Sequence, residues 1–163
     1  MAKEKWEAII DFVKKNNYKK ILELGVGGAF TSEQILKSCE LERYYLVDPY
    51  YGRSDVPPTL KNIIDSFNNI VFFKLFSKEA VKEIADDNLD LIYIDADHAY
   101  EHVKEDIKIW YPKVRKGGIV CGHDYDVPEW EGVKRAVDEI FKNVNIIIDA
   151  DKGCSNKIWW HKK

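Results

Sequence analysis

The period of the apolar positions switches repeatedly along this chain. In "MAKEKWEAIIDFVKK", Trp6, Ile9, Ile10 and Val13 fall on one helical face, which predicts an amphipathic helix over about 4–16. "KKILEL" is a short apolar strand that runs into a glycine cluster. The next helix opens at Thr31-Ser32-Glu33-Gln34, where Thr31 and Gln34 have the spacing of a capping box. "RYYLVD" reads as a second strand, "GRSDVPP" (52–58) as a loop and "TLKNIIDSFNN" as a short helix. "IVFFKLF" is a third strand, after which Ser77 is expected to cap a helix in "KEAVKEIADD". "LDLIYID" is a fourth strand and "YEHVKEDIKIWYPKV" the helix behind it. "GGIVCGHD", entered by a glycine turn, is the fifth strand, and "EWEGVKRAVDEIFKN" is the last helix. "VNIIID" and "KIWWHK" close the series as two strands joined only by "ADKGCSN".

Strands alternating with helices demand parallel pairing and right-handed crossovers, hence an α/β fold built on a doubly wound, seven-stranded, mostly parallel sheet. The nearly unbroken apolar strands suit a sheet covered on both faces. The last two are joined too briefly for a crossover, so they should form a C-terminal antiparallel hairpin. With 163 residues the expectation is one domain over 1–163, its core beginning at about residue 19.

Composition narrows the partners. A hydrophobic content of 45% with 33% charged residues is that of a globular protein, and a net charge of −3 offers no basic footprint for nucleic acid or an anionic membrane. No apolar run is long enough to span a bilayer, and the charged N-terminus lacks a secretory core. Cys39, Cys121 and Cys154 are widely spaced and without a CxxC pair, so they read as reduced thiols in a cytoplasmic protein.

In open sheets of this kind ligands gather beyond the carboxyl ends of the strands. The first strand ends Glu23-Leu24-Gly25-Val26-Gly27-Gly28. Such a loop turns sharply and admits close approach of a ligand. Phe30 stands where a dinucleotide fingerprint needs a small residue, which disfavours NAD. Asp48 ends the second strand, about 20 residues on, where a carboxylate can accept both hydroxyls of a ribose. The fourth strand leads into "LIYIDADHAYEH", where Asp95, Asp97, His98, Glu101 and His102 crowd into eight positions. Read from the residues alone, that cluster is a helix cap, a metal site, an acid–base site or a mixture. Asp97 suits a cap for a helix beginning near Ala99. Tyr100, Tyr125 and Trp130 are candidate substrate walls, though aromatic residues beside a pocket are more often packing.

The acid before Gly-x-Gly-Gly, the acid ending strand two and the terminal hairpin resemble the class I S-adenosylmethionine-dependent methyltransferases. More narrowly, "LDLIYIDADHAYEHVKEDIKIWYPKVRKGGIVCGHDYD" with "GVKRAVDEIF" resembles the branch holding small-molecule and sugar O-methyltransferases. The resemblance implies S-adenosylmethionine as cofactor, with Glu23, Gly25, Gly27 and Gly28 along its methionine part, Asp48 on its ribose, Phe76 and Ser77 near its adenine, and Asp95 beside it. It further implies that Asp95, His123 and Asp124 hold a divalent cation. His98, three residues past Asp95, would be the general base, histidine being the side chain suited to proton transfer near neutral pH. Relatives usually carry a carboxylate where His123 stands. One imidazole among two carboxylates lets Mn²⁺ compete with Mg²⁺.

The implied acceptor is a small molecule, a sugar or another hydroxyl compound. The chain has almost no insertions between sheet elements. Its acceptor pocket is therefore open, or is completed by the Gly52–Pro58 loop, by Tyr125–Trp130 or by a second copy in a homo-oligomer. Three other readings stand beside this one. His98-x-x-Glu101-His102 spells an inverted zinc-peptidase signature, but His98 should precede the helix and so not share a face with His102. Asp95-x-Asp97 is the two-residue metal motif of nucleotide-sugar transferases, which arises often by chance. A non-catalytic nucleoside-binding protein would use the same fold.

Overall fold

The computed structural model describes residues 3–148 and 157–163. Helix α1 (Lys5–Asn16) leads into β1 (Lys20–Leu24), α2 (Phe30–Ser38), β2 (Arg43–Val47), α3 (Pro58–Ser66) and β3 (Ile70–Phe73). Next come the single turn α4 (Ser77–Ala80), β4 (Leu89–Ile94), α5 (Tyr100–Trp110), β5 (Val114–Gly122), α6 (Glu131–Ile140), β6 (Asn145–Ile148) and β7 (Lys157–Lys162). The sheet order is β3-β2-β1-β4-β5-β7-β6. The first five strands pair in parallel, while β7 lies antiparallel to both β5 and β6. This is the expected seven-stranded sheet with its terminal hairpin. The connecting "ADKGCSN", with Cys154, falls outside the described residues.

The burial of the strands explains their composition. All six residues of β4 are buried, because it sits mid-sheet with a core on each side. Ile9, Ile35, Leu36, Leu60 and Ile63 from α1, α2 and α3 cover one face. Ala80, Val103, Ile107, Trp110, Val133 and Val137 from α4, α5 and α6 cover the other. Cys39 is half-buried and Cys121 buried, both as free thiols.

Several expected boundaries move. Helix α2 starts at Phe30 behind Ala29, which enters at φ +61°, so Thr31 and Gln34 do not form a capping box. Ser32 instead turns its hydroxyl inward to Glu23. Ser77 is the first residue of α4 rather than its cap. Its hydroxyl donates to Asp106, and the Phe76 N–H is taken up by Glu79. For Ser77 a buried carboxylate has outcompeted the helix end. The third strand stops at Phe73, and the expected helix after Ser77 shrinks to one turn followed by a 3₁₀ turn, Val81–Glu83.

Candidate active site

The tips of the parallel strands are laced together by one further rung of backbone hydrogen bonds. Asp48 N–H donates to Phe73, Gly25 N–H to Val47, Asp95 N–H to Leu24 and His123 N–H to Ile94. The rung fixes Gly25, Asp48, Asp95 and His123 relative to one another although the sequence separates them widely. Gly25 has to be glycine: its φ is +83°, and a Cβ would lie 2.2 Å from the Asp95 carbonyl oxygen.

Over these tips opens a cavity of about 1120 Å³. It crosses from the face carrying α1 and α2 to the face carrying α4 and α5. Glu23, Gly25, Gly27, Gly28, Asp48, Phe76, Ser77 and Asp95 all line it, so the structure brings every residue expected beside the cofactor to a single crevice.

Glu23 sits at the crevice floor, 1% exposed, and its Oε2 accepts the hydroxyls of Ser32 and Tyr44, both at 2.6 Å. Burial pushes its carboxyl up to about 7, more than these two hydrogen bonds pull it down. Asp48 is already engaged. Its Oδ2 accepts the N–H groups of Val26 and Gly27, both at 3.0 Å, and its Oδ1 that of Tyr50 at 2.8 Å. The carboxylate that ends β2 thus clamps the glycine loop while it borders the crevice.

Asp95 meets a cation that sequence reasoning missed. Lys5, in the first turn of α1, places its Nζ 2.7 Å from Asp95 Oδ2, and Tyr93 donates its hydroxyl to the same oxygen at 3.0 Å. Burial works to lower the Lys5 pKa. Asp95, with Glu23 and Asp124 behind it, outweighs that effect and holds the ammonium above its ordinary value.

Beyond Asp95 lie His98 and Asp124, and donor atoms from these three residues fall within 4.8 Å of one another. His98 Nε2 is 2.7 Å from Asp124 Oδ2, and the imidazole stacks on Trp130 with centroids 4.1 Å apart. His123, 3% exposed, lies behind, its Nδ1 3.0 Å from Asp124 Oδ1. Among the described residues the group able to share an ion is therefore Asp95, His98 and Asp124, with His98 rather than His123 as its nitrogen donor. An oxygen–nitrogen–oxygen donor set of this kind fits Mn²⁺ or Mg²⁺. Asp124 takes a left-handed conformation, φ +57°. Burial would raise its carboxyl, but the two imidazoles prevail and hold it well below the usual carboxylate range.

His98 owes its position to a close helix approach. A Cβ on Gly132, in the first turn of α6, would lie 2.6 Å from both His98 O and Tyr100 N. His98 precedes α5 and pairs with Asp124, whereas His102 lies within α5 and pairs with Asp97 at 2.9 Å, so the two do not form a shared zinc face. Asp97 also accepts the Ala99 N–H at 2.7 Å, but this is a turn ahead of α5: the cap position is Ala99, without a side-chain cap bond, and not Asp97 as expected. Tyr100 bonds to Glu139 on the α5–α6 surface, and Tyr125 is buried with its hydroxyl on Asp138. Neither lines the crevice. Asp106 does line it, and burial pushes its carboxyl up to about 6. Nothing in "KEDIK" distinguishes that residue from an ordinary helical acid.

Comparison with known proteins agrees with this architecture. An O-methyltransferase from Bacillus cereus, solved in complex with SAH, superposes with a TM-score of 0.75 at 15% identity, covering 97% of this chain and 80% of that one. Spermidine synthase from Thermotoga maritima superposes at 0.67 and 18% identity, covering 94% and 57%. At such identities the likeness is one of fold. An uncharacterized protein of Acanthamoeba polyphaga mimivirus is 26% identical over 132 residues, 76% of this chain. The chain spans 59% of that relative's length, and 6% of a second relative, from Sinorhizobium fredii. A family described as a methyltransferase domain matches residues 22–125, from β1 through the Asp124 turn. That stretch is more than half of the chain and holds the crevice floor and the Asp95–His98–Asp124 group: the chain belongs to the methyltransferase-domain family.

Proposed function

We propose that the protein is an S-adenosylmethionine-dependent methyltransferase, a single domain over 1–163, acting on a hydroxyl of a small molecule such as a sugar. The observation that carries this reading is the single crevice into which the glycine loop, Glu23, Asp48 and Asp95 all open, with Asp95 also within 4.8 Å of donor atoms of His98 and Asp124. S-adenosylmethionine supplies a methyl group on a sulfonium, and its thioether product leaves with the bonding electrons. The protein's share is alignment and removal of the acceptor's proton. With Nε2–H donated to Asp124, His98 keeps Nδ1 to receive that proton, while the stacked Trp130 fixes the ring plane. A divalent cation on Asp95, His98 and Asp124 would lower the pKa of a hydroxyl held there. Cation and dyad draw on the same imidazole, so they are alternative uses of one group. N- and carbon methyltransferases share the fold, and it is the proton-accepting His98 that favours oxygen as the acceptor atom here.

The test is calorimetric titration with S-adenosylhomocysteine. Gly28 lines the crevice, and a Cβ there meets nothing within 4 Å, so Gly28→Leu fills the cavity without displacing protein. The wild type should bind, and Gly28→Leu should lose at least about ten-fold in affinity at an unchanged melting temperature. A wild type that ignores S-adenosylhomocysteine but takes up NAD or zinc refutes the proposal.

A further inference from the structure

We propose that Lys5 recognises the carboxylate of the cofactor's amino-acid end and so commits the crevice to a donor that carries one. This rests on the methyltransferase reading and deepens it. The lining of the crevice is heavily acidic: Glu23, Asp48, Asp95, Asp97, Glu105 and Asp106 all border it. Against them the lining sets two lysines, Lys5 and Lys78, and His102. Lys78 and His102 come from α4 and α5, on the side of Phe76 and Ser77. Lys5 comes from α1, on the side of the glycine loop, where its neighbour Trp6 meets Phe30 edge-on at 5.0 Å.

An amino-acid end is a zwitterion and needs both signs close together. Glu23 and Asp95 can face its ammonium. Among the lining residues on the glycine-loop side, Lys5 is the cation that can face its carboxylate. The Lys5 ammonium is held by Asp95 at 2.7 Å, with the lysine side chain 30% and the aspartate 14% exposed. Both partners line the crevice, so the ammonium can turn from Asp95 to an arriving carboxylate and exchange one charge-assisted hydrogen bond for another. Its departure leaves Asp95 facing His98 and Asp124 on the acceptor side.

The experiment compares S-adenosylhomocysteine with 5′-methylthioadenosine, which lacks the amino-acid end, as ligands of the wild type, Lys5→Met and Lys5→Arg. Lys5→Met should bind S-adenosylhomocysteine about ten- to a hundred-fold more weakly, the range for losing a charge-assisted hydrogen bond, and methylthioadenosine within about two-fold of wild type. Lys5→Arg should recover most of the loss. An equal loss for both ligands, or none for either, overturns the assignment, because a lysine that merely neutralises Asp95 cannot tell them apart. Failure of Lys5→Arg to restore affinity, with its near-ultraviolet circular dichroism unchanged, also overturns it. A wild type that binds methylthioadenosine as tightly as S-adenosylhomocysteine refutes this proposal alone. A wild type that binds neither refutes the methyltransferase reading, and this one with it.

Discussion

Glu23 combines a stability effect and a ligand-facing position in one carboxyl group. Its pKa rises from an ordinary 4.5 to about 7, chiefly because it is buried. Below the unfolded value both states hold the proton and nothing is lost. Between there and about 7 the unfolded chain ionises while the folded one resists, so this group's stabilising contribution falls as pH rises and levels off above 7. The loss is on the order of 3 kcal/mol. Glu23→Gln should remove it. Urea denaturation at pH 5 and pH 8 should find the variant gaining on the wild type at the higher pH, and a constant difference between the two would contradict the argument. His98 allows a second expectation. His98→Ala should lower kcat by about 10²–10⁴ and leave S-adenosylhomocysteine affinity within about two-fold. Dialysis against EDTA separates its two uses, since wild-type turnover survives chelation only if Asp124 alone supports the imidazole. Glu23, Asp48 and Asp95 were legible in the sequence because each ends a strand. Lys5 was not: it lies in an alternating run of charges and acquires meaning from Asp95, ninety residues away. His98 carried its signal through the family resemblance, which implies a histidine three residues past Asp95, while His123 gave no sign that it would lie behind Asp124 rather than beside it.

At the level of elements, the strands and helices followed from apolar periodicity, but their ends did not. The Thr31–Gln34 box failed because α2 begins one residue before Thr31, at Phe30, whereas Ser77 had two potential partners, a nearby backbone N–H and a buried carboxylate from a distant element. Ser32 chose Glu23 and Ser77 chose Asp106, and neither choice can be read locally. The contact of α6 with the start of α5 was equally hidden, because Gly132 looks like an unremarkable helical glycine until His98 is seen against it. Gly132→Ala should force the two elements apart, costing about 1–3 kcal/mol in thermal or urea unfolding. Because the displaced backbone carries His98, turnover should drop while S-adenosylhomocysteine binding stays near wild type. Unchanged kcat in a destabilised variant would show that His98 tolerates the shift.

Across the whole molecule, alternation of short apolar runs with helical stretches was enough to define the doubly wound sheet and its terminal hairpin. The crevice followed, since parallel pairing puts the carboxyl ends of β1 to β5 on the same rim. The order of the last two strands adds something further. Strand β6 precedes β7 in the chain, yet among the described strands it joins the sheet through β7, which slots between it and β5. Until that slot is filled, the outer border of β5 stands bare and an isoleucine-rich ribbon, with Ile146 40% and Ile148 46% exposed even in the finished fold, has only the Lys3 N–H on Ile148 to pair with among the described residues. Assembly of this flank therefore waits for a single insertion that zips two seams at once, a late and non-local event in folding. The Asp124 turn is tied to that strand by the Tyr125 N–H on Lys157 O, so pulse-labelled hydrogen exchange should find the Tyr125 amide protected later than those of β1 and β4, and simultaneous protection would contradict this order.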